Sequence, residues 1–168
     1  MCGICGKVYL DPQARVDEHL IRVMCDVLEH RGPDESGVYT DRNIGLGHRR
    51  LSIIDLTTGQ QPMCNSRQDI WITYNGEIYN FPDLRKDLQK RGYTFHSNSD
   101  TEVIIHLYDD YGTSCVNYLR GMFVFAIWDK RRQRLFLARD RMGQKRLSDL
   151  LTDNSIAFAS EIKALIQD

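Results

Sequence analysis

The pattern of this 168-residue chain predicts an α+β fold in which sheets pack face to face and helices cover them. Three observations predict it. Short runs rich in Ile, Val, Tyr, Phe and Trp recur between turn residues, the signature of several strands. Stretches with apolar residues at helical spacing fall in groups between those runs. The run "MFVFAIWD" is almost wholly apolar, as a strand buried on both faces must be. No fixed-period repeat and no low-complexity linker divides the chain, so one domain is expected from 1 to 168.

Taken in order, Gly3 to Leu10 reads as a first strand. Asp17 to Glu29 carries Leu20, Val23, Met24, Val27 and Leu28 at helical spacing and ends near "HRGPDESG", whose Gly and Pro break regular structure. "GVYT", "IGLGHRRLSII" and "DIWITY" are extended runs. "NFPDLRKDLQKRG" is a short amphipathic helix with Leu84 and Leu88 on one face, and "YTFHS" is expected as a strand after it. The next helix has the best-marked ends. Ser99 stands three before Glu102, the capping-box spacing, and Val103, Ile104, Leu107, Tyr108 and Tyr111 form the apolar stripe before Gly112. "MFVFAIWDKRRQRLFLARD" is two strands around a charged turn.

Charge and composition narrow the function. The 22 basic and 23 acidic side chains nearly cancel, so nothing points to nucleic acid or to an anionic membrane surface. No apolar run approaches the ~20 residues that span a bilayer, and the N-terminus lacks the apolar core of a signal peptide, so a cytoplasmic location is expected. The five cysteines, Cys2, Cys5, Cys25, Cys64 and Cys115, are odd in number and irregular in spacing, which predicts free thiols.

Two of them open the chain as "MCGIC", and this motif has two readings. A redox C-x-x-C sits at the start of a helix, where the helix N-terminus lowers the thiol pKa, but here the sequence continues as a strand. A zinc site would need two further ligands, and Cys25, Cys64 and Cys115 are isolated from one another. The other reading uses the chain terminus. Met before a small residue is expected to be trimmed, leaving Cys2 with a thiol and a free α-amine on one residue. That amine has an ordinary pKa of about 7.7 to 8.0, so it can take the thiol's proton and later return it to a leaving group. Cys5 is then ordinary strand packing.

Nine stretches in order, "MCGICG", "RGPDESG", "GHRRLSIIDL", "QQPM", "YNGEIYNF", "SDTEV", "GMFVFAIWD", "LARDRMGQK" and "FASEIKAL", resemble the glutaminase domain of the asparagine synthetase family. This is a class II glutamine amidotransferase with the N-terminal nucleophile hydrolase fold. The resemblance implies a four-layer αββα sandwich of two antiparallel sheets. It also implies hydrolysis of glutamine's side-chain amide through a Cys2 thioester, with ammonia supplied for ATP-dependent asparagine synthesis from aspartate. Partners would be glutamine and a synthetase domain or subunit as ammonia acceptor, with a homodimer possible. No cofactor is expected in this domain, since ATP and Mg belong to the synthetase half. No S-G-G-x-D phosphate loop appears in the sequence, so a C-terminal synthetase domain is expected to be absent from it.

Roles carry over position by position. The resemblance makes Cys2 the nucleophile, and the Asn75 side-chain amide and Gly76 N–H the oxyanion donors. From the residues alone "NG" reads as a tight hairpin turn between "DIWITY" and "EIYN", and both can hold. Arg50 matches the position that grips the substrate α-carboxylate, and Leu51, Ser52, Ile53 and Ile54 the stretch lining the pocket. Arg49 competes with Arg50, and strand alternation lets only one of the two reach the pocket. Asp100 and Glu77 match the carboxylates for the substrate α-ammonium. Asp100 also suits the start of a helix without any substrate, and Glu77 suits an exposed strand position. Arg31 and Asp34 fit a pocket-shaping loop or a salt-bridged turn, and the five histidines are expected to be structural.

The chain departs from the family in one segment. After "RDRMGQK" the family continues with Pro-Leu and a pair of tyrosines, but this chain has Arg146, Leu147, Ser148, Asp149, Leu150 and Leu151. The resemblance therefore does not carry the strand pairing of that segment. The rival readings are a non-catalytic, regulatory or partner-binding descendant of the amidotransferases and a C-x-x-C redox or metal module.

Overall fold

The computed structural model describes residues 1–51 and 58–168. Within them the chain forms two antiparallel sheets. The first, in the order β2 (Glu35–Asp41), β3 (Ile44–Arg50), β1 (Gly3–Tyr9), β9 (Ser155–Ala159), β8 (Ser148–Leu151), has β1 at its centre. The second runs β4 (Met63–Cys64), β5 (Ile70–Ile78), β6 (Gly121–Asp129), β7 (Arg134–Arg139).

Strand alternation explains how these sheets stack. On β1, Ile4 and Val8 join Ile44 and Leu46 of β3, Phe158 of β9, and Val124, Ala126 and Trp128 of β6 in one buried cluster between the sheets. The intervening Cys5 belongs instead to a cluster with Ile21, Met24 and Cys25 of α1 (Glu18–Asp26) and Ala164 and Leu165 of α4 (Ile162–Leu165). On β6, Phe123, Phe125 and Ile127 face the other way, onto Val103, Ile104, Leu107 and Tyr108 of α3 (Asp100–Tyr111), with α2 (Phe81–Lys90) beside it. The layers are therefore helix, sheet, sheet, helix, as expected, and "MFVFAIWD" is apolar throughout because both its faces are covered. The helical layer lies very close to β3. A Cβ at Gly47 would come within 2.5 Å of Cys25 Sγ and 2.6 Å of Cys5 Sγ, so only glycine allows that approach.

Four local expectations are corrected. "NG" is not a hairpin: β5 runs straight through Asn75 and Gly76, which pair with Val124 and Phe123 of β6. Its glycine serves a close approach, since a Cβ at Gly76 would lie 2.4 Å from the Met122 carbonyl oxygen. "YTFHS" is not a strand. The Glu102 carboxylate accepts from the N–H groups of His96 (2.9 Å) and Ser97 (2.8 Å), while Tyr93 and Phe95 pack their rings on His106, so side chains of α3 take the place of a partner strand. The same carboxylate explains the third correction. Ser99 caps α3 through the Thr101 N–H, but Glu102 reaches past the cap residue to the preceding turn and does not close the expected box. The first helix is also shorter than its pattern, ending at Asp26 before a 3₁₀ turn at Glu29–Arg31. The segment that departs from the family pairs regularly, with Ser148 to Leu151 antiparallel to β9.

Two outcomes follow for stability. Phe158→Ala should cost about 3 to 5 kcal/mol, read as a lowered urea midpoint, because the ring is fully buried between the sheets. Burial raises the Glu102 pKa, but His106, Ser97 and the two N–H groups outweigh it and bring it from 4.5 to about 2. A depressed carboxylate stabilises the fold above its unfolded pKa and loses that contribution as pH falls through the folded one. Glu102→Gln should thus lower stability by roughly 1–2 kcal/mol at neutral pH, and thermal melts of the two proteins should converge between about pH 4.5 and pH 2.

Candidate active site

Cys2 immediately precedes β1, so the central strand of the first sheet sets its place. The Leu51 N–H donates to Cys2 Sγ (3.4 Å) and the thiol lies 3.7 Å from the Leu51 carbonyl, its acceptor. Arg31 Nε donates to the Cys2 carbonyl (3.0 Å) while Arg31 Nη1 donates to Glu161 (2.8 Å). Burial alone would raise the Glu161 pKa, but Arg31 and His30 outweigh it and hold it at about 2, so the carboxylate that anchors Arg31 stays charged.

Cys2 opens into a cavity of about 240 Å³, which Arg50, Leu51, Tyr74, Asn75, Gly76, Glu77 and Asp100 also line. Of the pair Arg49 and Arg50, alternation brings Arg50 to the cavity. Its guanidinium is buried and donates to Glu35 (2.9 Å), whereas Arg49 turns away to Glu29. Asn75 is 3% exposed, and its Nδ2 has no hydrogen-bond partner among the described residues. Such an orphaned amide donor is uncommon in a folded interior, and here it belongs to a residue that lines the cavity of the thiol.

The carboxylates differ from each other. Glu77 is exposed at the rim, while Asp100 is buried at the first turn of α3, where its Oδ2 accepts from the Tyr74 hydroxyl (2.6 Å) and the Ile78 N–H (2.9 Å). Burial raises the Asp100 pKa, Glu77 adds to the rise, and these two donors only partly offset it. A carboxylate in that state gains from a cation placed in the cavity. Tyr74 is pushed well above its ordinary value by burial and by Asp100, so it stays a phenol and donates.

The structure therefore brings together Cys2, Arg50, Leu51, Asn75, Gly76, Glu77 and Asp100, whereas Ser52, Ile53 and Ile54 lie outside the described residues. Cys2 and Cys5 do not act as a pair. They are three apart on an extended chain, and Cys5 is fully buried 3.6 Å from Cys25 Sγ. Arg31 holds the Cys2 backbone carbonyl and pairs with Glu161, at the other end of the sequence. His48 is buried and its ring contacts the Tyr74 carbonyl; burial lowers its pKa to about 4, which suits a neutral structural role. Sequence reasoning passed over Tyr74 and Lys145, both of which line the cavity. Tyr74 precedes Asn75 in the quoted "YNGEIYNF", but a buried tyrosine in a strand carries no signal of its own.

Comparison with known proteins agrees with this geometry. A family model described as a glutamine amidotransferase domain matches residues 1–168. Asparagine synthetase [glutamine-hydrolyzing] 3 of Bacillus subtilis is 44% identical over 99% of this chain, and the protein of that name from Arabidopsis thaliana is 40% identical over all of it. The chain spans 27% and 29% of the length of these two relatives. Among solved structures, the glutamine phosphoribosylpyrophosphate amidotransferase of B. subtilis superposes with a TM-score of 0.81 over 98% of this chain and 43% of its own, at 21% identity, a likeness of fold alone. Among the described residues no helix is long and apolar enough to cross a membrane. Matched along its whole length by that family model and by these relatives, with the Cys2 thiol and Asn75 lining one cavity, the chain belongs to the glutamine amidotransferase domain family, among the domains of the asparagine synthetase type.

Proposed function

We propose that this domain hydrolyses the side-chain amide of glutamine to glutamate and ammonia, with Cys2 as nucleophile. The observation that carries the proposal is the unpartnered Asn75 amide bordering the same cavity as the Cys2 thiol. A donor left without a partner in the resting protein is free for an oxyanion that exists only during reaction.

Once Met1 is removed, the α-amine of Cys2 takes the Sγ–H proton and the sulfur attacks the amide carbon, forming a C–S bond and a tetrahedral oxyanion. Asn75 Nδ2 and the Gly76 N–H donate to that oxygen. Collapse breaks the C–N bond, the amine's proton goes to the leaving nitrogen, and ammonia departs to leave a glutamyl thioester. A water then gives one proton to the amine and attacks the same carbon. The second collapse breaks the C–S bond, the proton returns to sulfur, and glutamate is released.

Recognition of glutamine would use opposite charges at the two ends of its amino-acid group. Arg50 can hold the α-carboxylate, and Asp100 with Glu77 the α-ammonium, whose charge relieves the strained ionisation of buried Asp100. Leu51 would form part of the wall beside the thiol, and the family resemblance adds Ser52, Ile53 and Ile54 as substrate-binding positions. The ammonia would pass to a synthetase domain or subunit that makes asparagine from aspartate. ATP and Mg would serve that partner's chemistry, and the hydrolysis itself would need no cofactor.

Purified protein lacking Met1 should release glutamate from glutamine, and Cys2→Ala should abolish it. Asn75→Ala should lower kcat by about 10²- to 10³-fold with a smaller change in KM, since the lost bond forms in the transition state. Cys5→Ala should keep turnover, although a redox or metal site would lose its function. Folded, trimmed protein that produces no glutamate at any pH would end this reading.

A further inference from the structure

Lys145 follows β7 in a loop that is unusually well fixed. The Asp140 carboxylate accepts from the N–H groups of Met142, Gln144, Lys145 and Phe123, and the Arg139 guanidinium donates to the Lys145 and Gly143 carbonyls. Lys145 itself is only 6% exposed and lines the cavity of Cys2. Its ammonium contacts the Met1 sulfur at 3.4 Å, and a thioether is a weak acceptor. No ion pair to Lys145 is found among the described residues. The other two cations near Cys2 are compensated, Arg31 by Glu161 and Arg50 by Glu35. Burying an ammonium without a counter-charge is costly, so a fold that keeps one beside a nucleophile has its field available there.

We infer that Lys145 keeps the α-amine of Cys2 in its neutral, proton-accepting form at neutral pH. The inference rests on the proposed function in one respect, that this amine is the base. Removal of Met1 takes away the thioether that the ammonium contacts and exposes the Cys2 amine at the same end of the cavity. Two positive charges that face one small cavity disfavour one another, and the amine, with the lower intrinsic pKa, yields its proton. An unassisted amine with a pKa of about 7.7 to 8.0 would be mostly protonated at pH 7, leaving only a minor fraction of molecules able to take the thiol's proton.

The charged and titratable neighbours among the described residues enter this balance together. Arg50 comes from β3, Tyr74 and Glu77 from β5, Asp100 from α3, Arg31 from the 3₁₀ turn, and Lys145 from the loop after β7. Asp100 and Glu77 act against Lys145 by favouring a charged amine. Bound glutamine would turn both toward its own ammonium, leaving Lys145 as the cation at the amine without a carboxylate of its own. Lys145 acts through the amine and is a positioning residue, not a catalytic one.

The test compares Lys145 with Lys145→Met and Lys145→Arg in protein whose loss of Met1 is verified by intact mass and whose folding is verified by thermal melting; Lys145→Gln replaces the methionine variant if that one does not fold. The first readout needs no turnover. In a Cys2→Ser background, where no thiol titrates, the α-amine is acetylated with trace acetic anhydride across pH and quantified on the N-terminal peptide. The pH of half-maximal labelling should rise by about one unit in Lys145→Met and return in Lys145→Arg. The second readout is kcat/KM for glutamine against pH with Cys2 intact, whose acid limb should move upward by the same amount and give about a tenfold loss near pH 6.5. An amine titration that does not move in folded Lys145→Met overturns the inference, as does a uniform loss of activity with an unmoved acid limb. A shifted amine in a protein that never releases glutamate would support the inference and defeat the proposed function, so the two fail separately.

Discussion

The pairing of β1 between β3 and β9 is the constraint on which the site depends. Chain termini ordinarily fray, and a thiol on the second residue would fray with them. Here the residue after Cys2 is already in register, Gly3 opposite Arg49, and β1 is the middle strand of its sheet. The same pairing delivers Arg50 and Leu51 from the end of β3 to the thiol. Arg31 then fixes the Cys2 carbonyl from the helical side of the sheet, and Glu161 anchors Arg31 from the far end of the sequence. A site built at a terminus thus draws its rigidity from contacts that span nearly the whole chain.

The second sheet contributes the opposite wall by a different means. β5 and β6 pair along nine residues without interruption, so Asn75 and Gly76 occupy rigid strand positions, not a turn. A rigid strand suits the proposed oxyanion donors, since such donors work best when they need no rearrangement as charge develops. Close approach of β6 at Gly76 excludes any side chain there, which leaves the backbone itself to face the cavity. Asp100 ties this wall to α3, because its carboxylate bonds both Tyr74 and the Ile78 N–H on the two sides of the Asn-Gly pair. Opposite walls of one pocket are therefore held by separate clusters of apolar packing, one around α1 and one around α3.

Much of this was legible in the sequence, and the failures have physical causes. Helical spacing and apolar runs marked the long elements because burial, which they report, decides those elements. "NG" misled because the same dipeptide serves a tight turn and a close strand approach, and only the partner strand distinguishes them. "YTFHS" misled because its strand-like residues found a carboxylate and a histidine ring on α3 in place of a neighbouring strand. Asn75, Arg50 and Asp100 were legible only through resemblance to a family, since each has an ordinary explanation when read alone. Lys145 was invisible because lysine in a Gly-containing loop is expected at the surface; its burial depends on the Asp140 turn, whose four backbone bonds leave no trace in residue pattern.

That turn also explains why the divergent segment leaves the site intact. The family pattern is interrupted after Lys145 and resumes before "FASEIKAL", with Arg146 the first residue to depart. Lys145 is buried against the cavity, while Arg146 points to solvent and the altered residues Ser148 to Leu151 form β8 at the outer edge of the first sheet. Between β8 and β1 stands β9, whose Phe158 and Ala159 are wholly buried. An edge strand has a free side and tolerates substitution, whereas the strand inside it is bound on both sides. Change at the edge is absorbed before it reaches β1, so Arg146, Ser148 and Asp149 can serve the outer surface of the sheet while Cys2 and its neighbours keep the geometry that the central strand imposes.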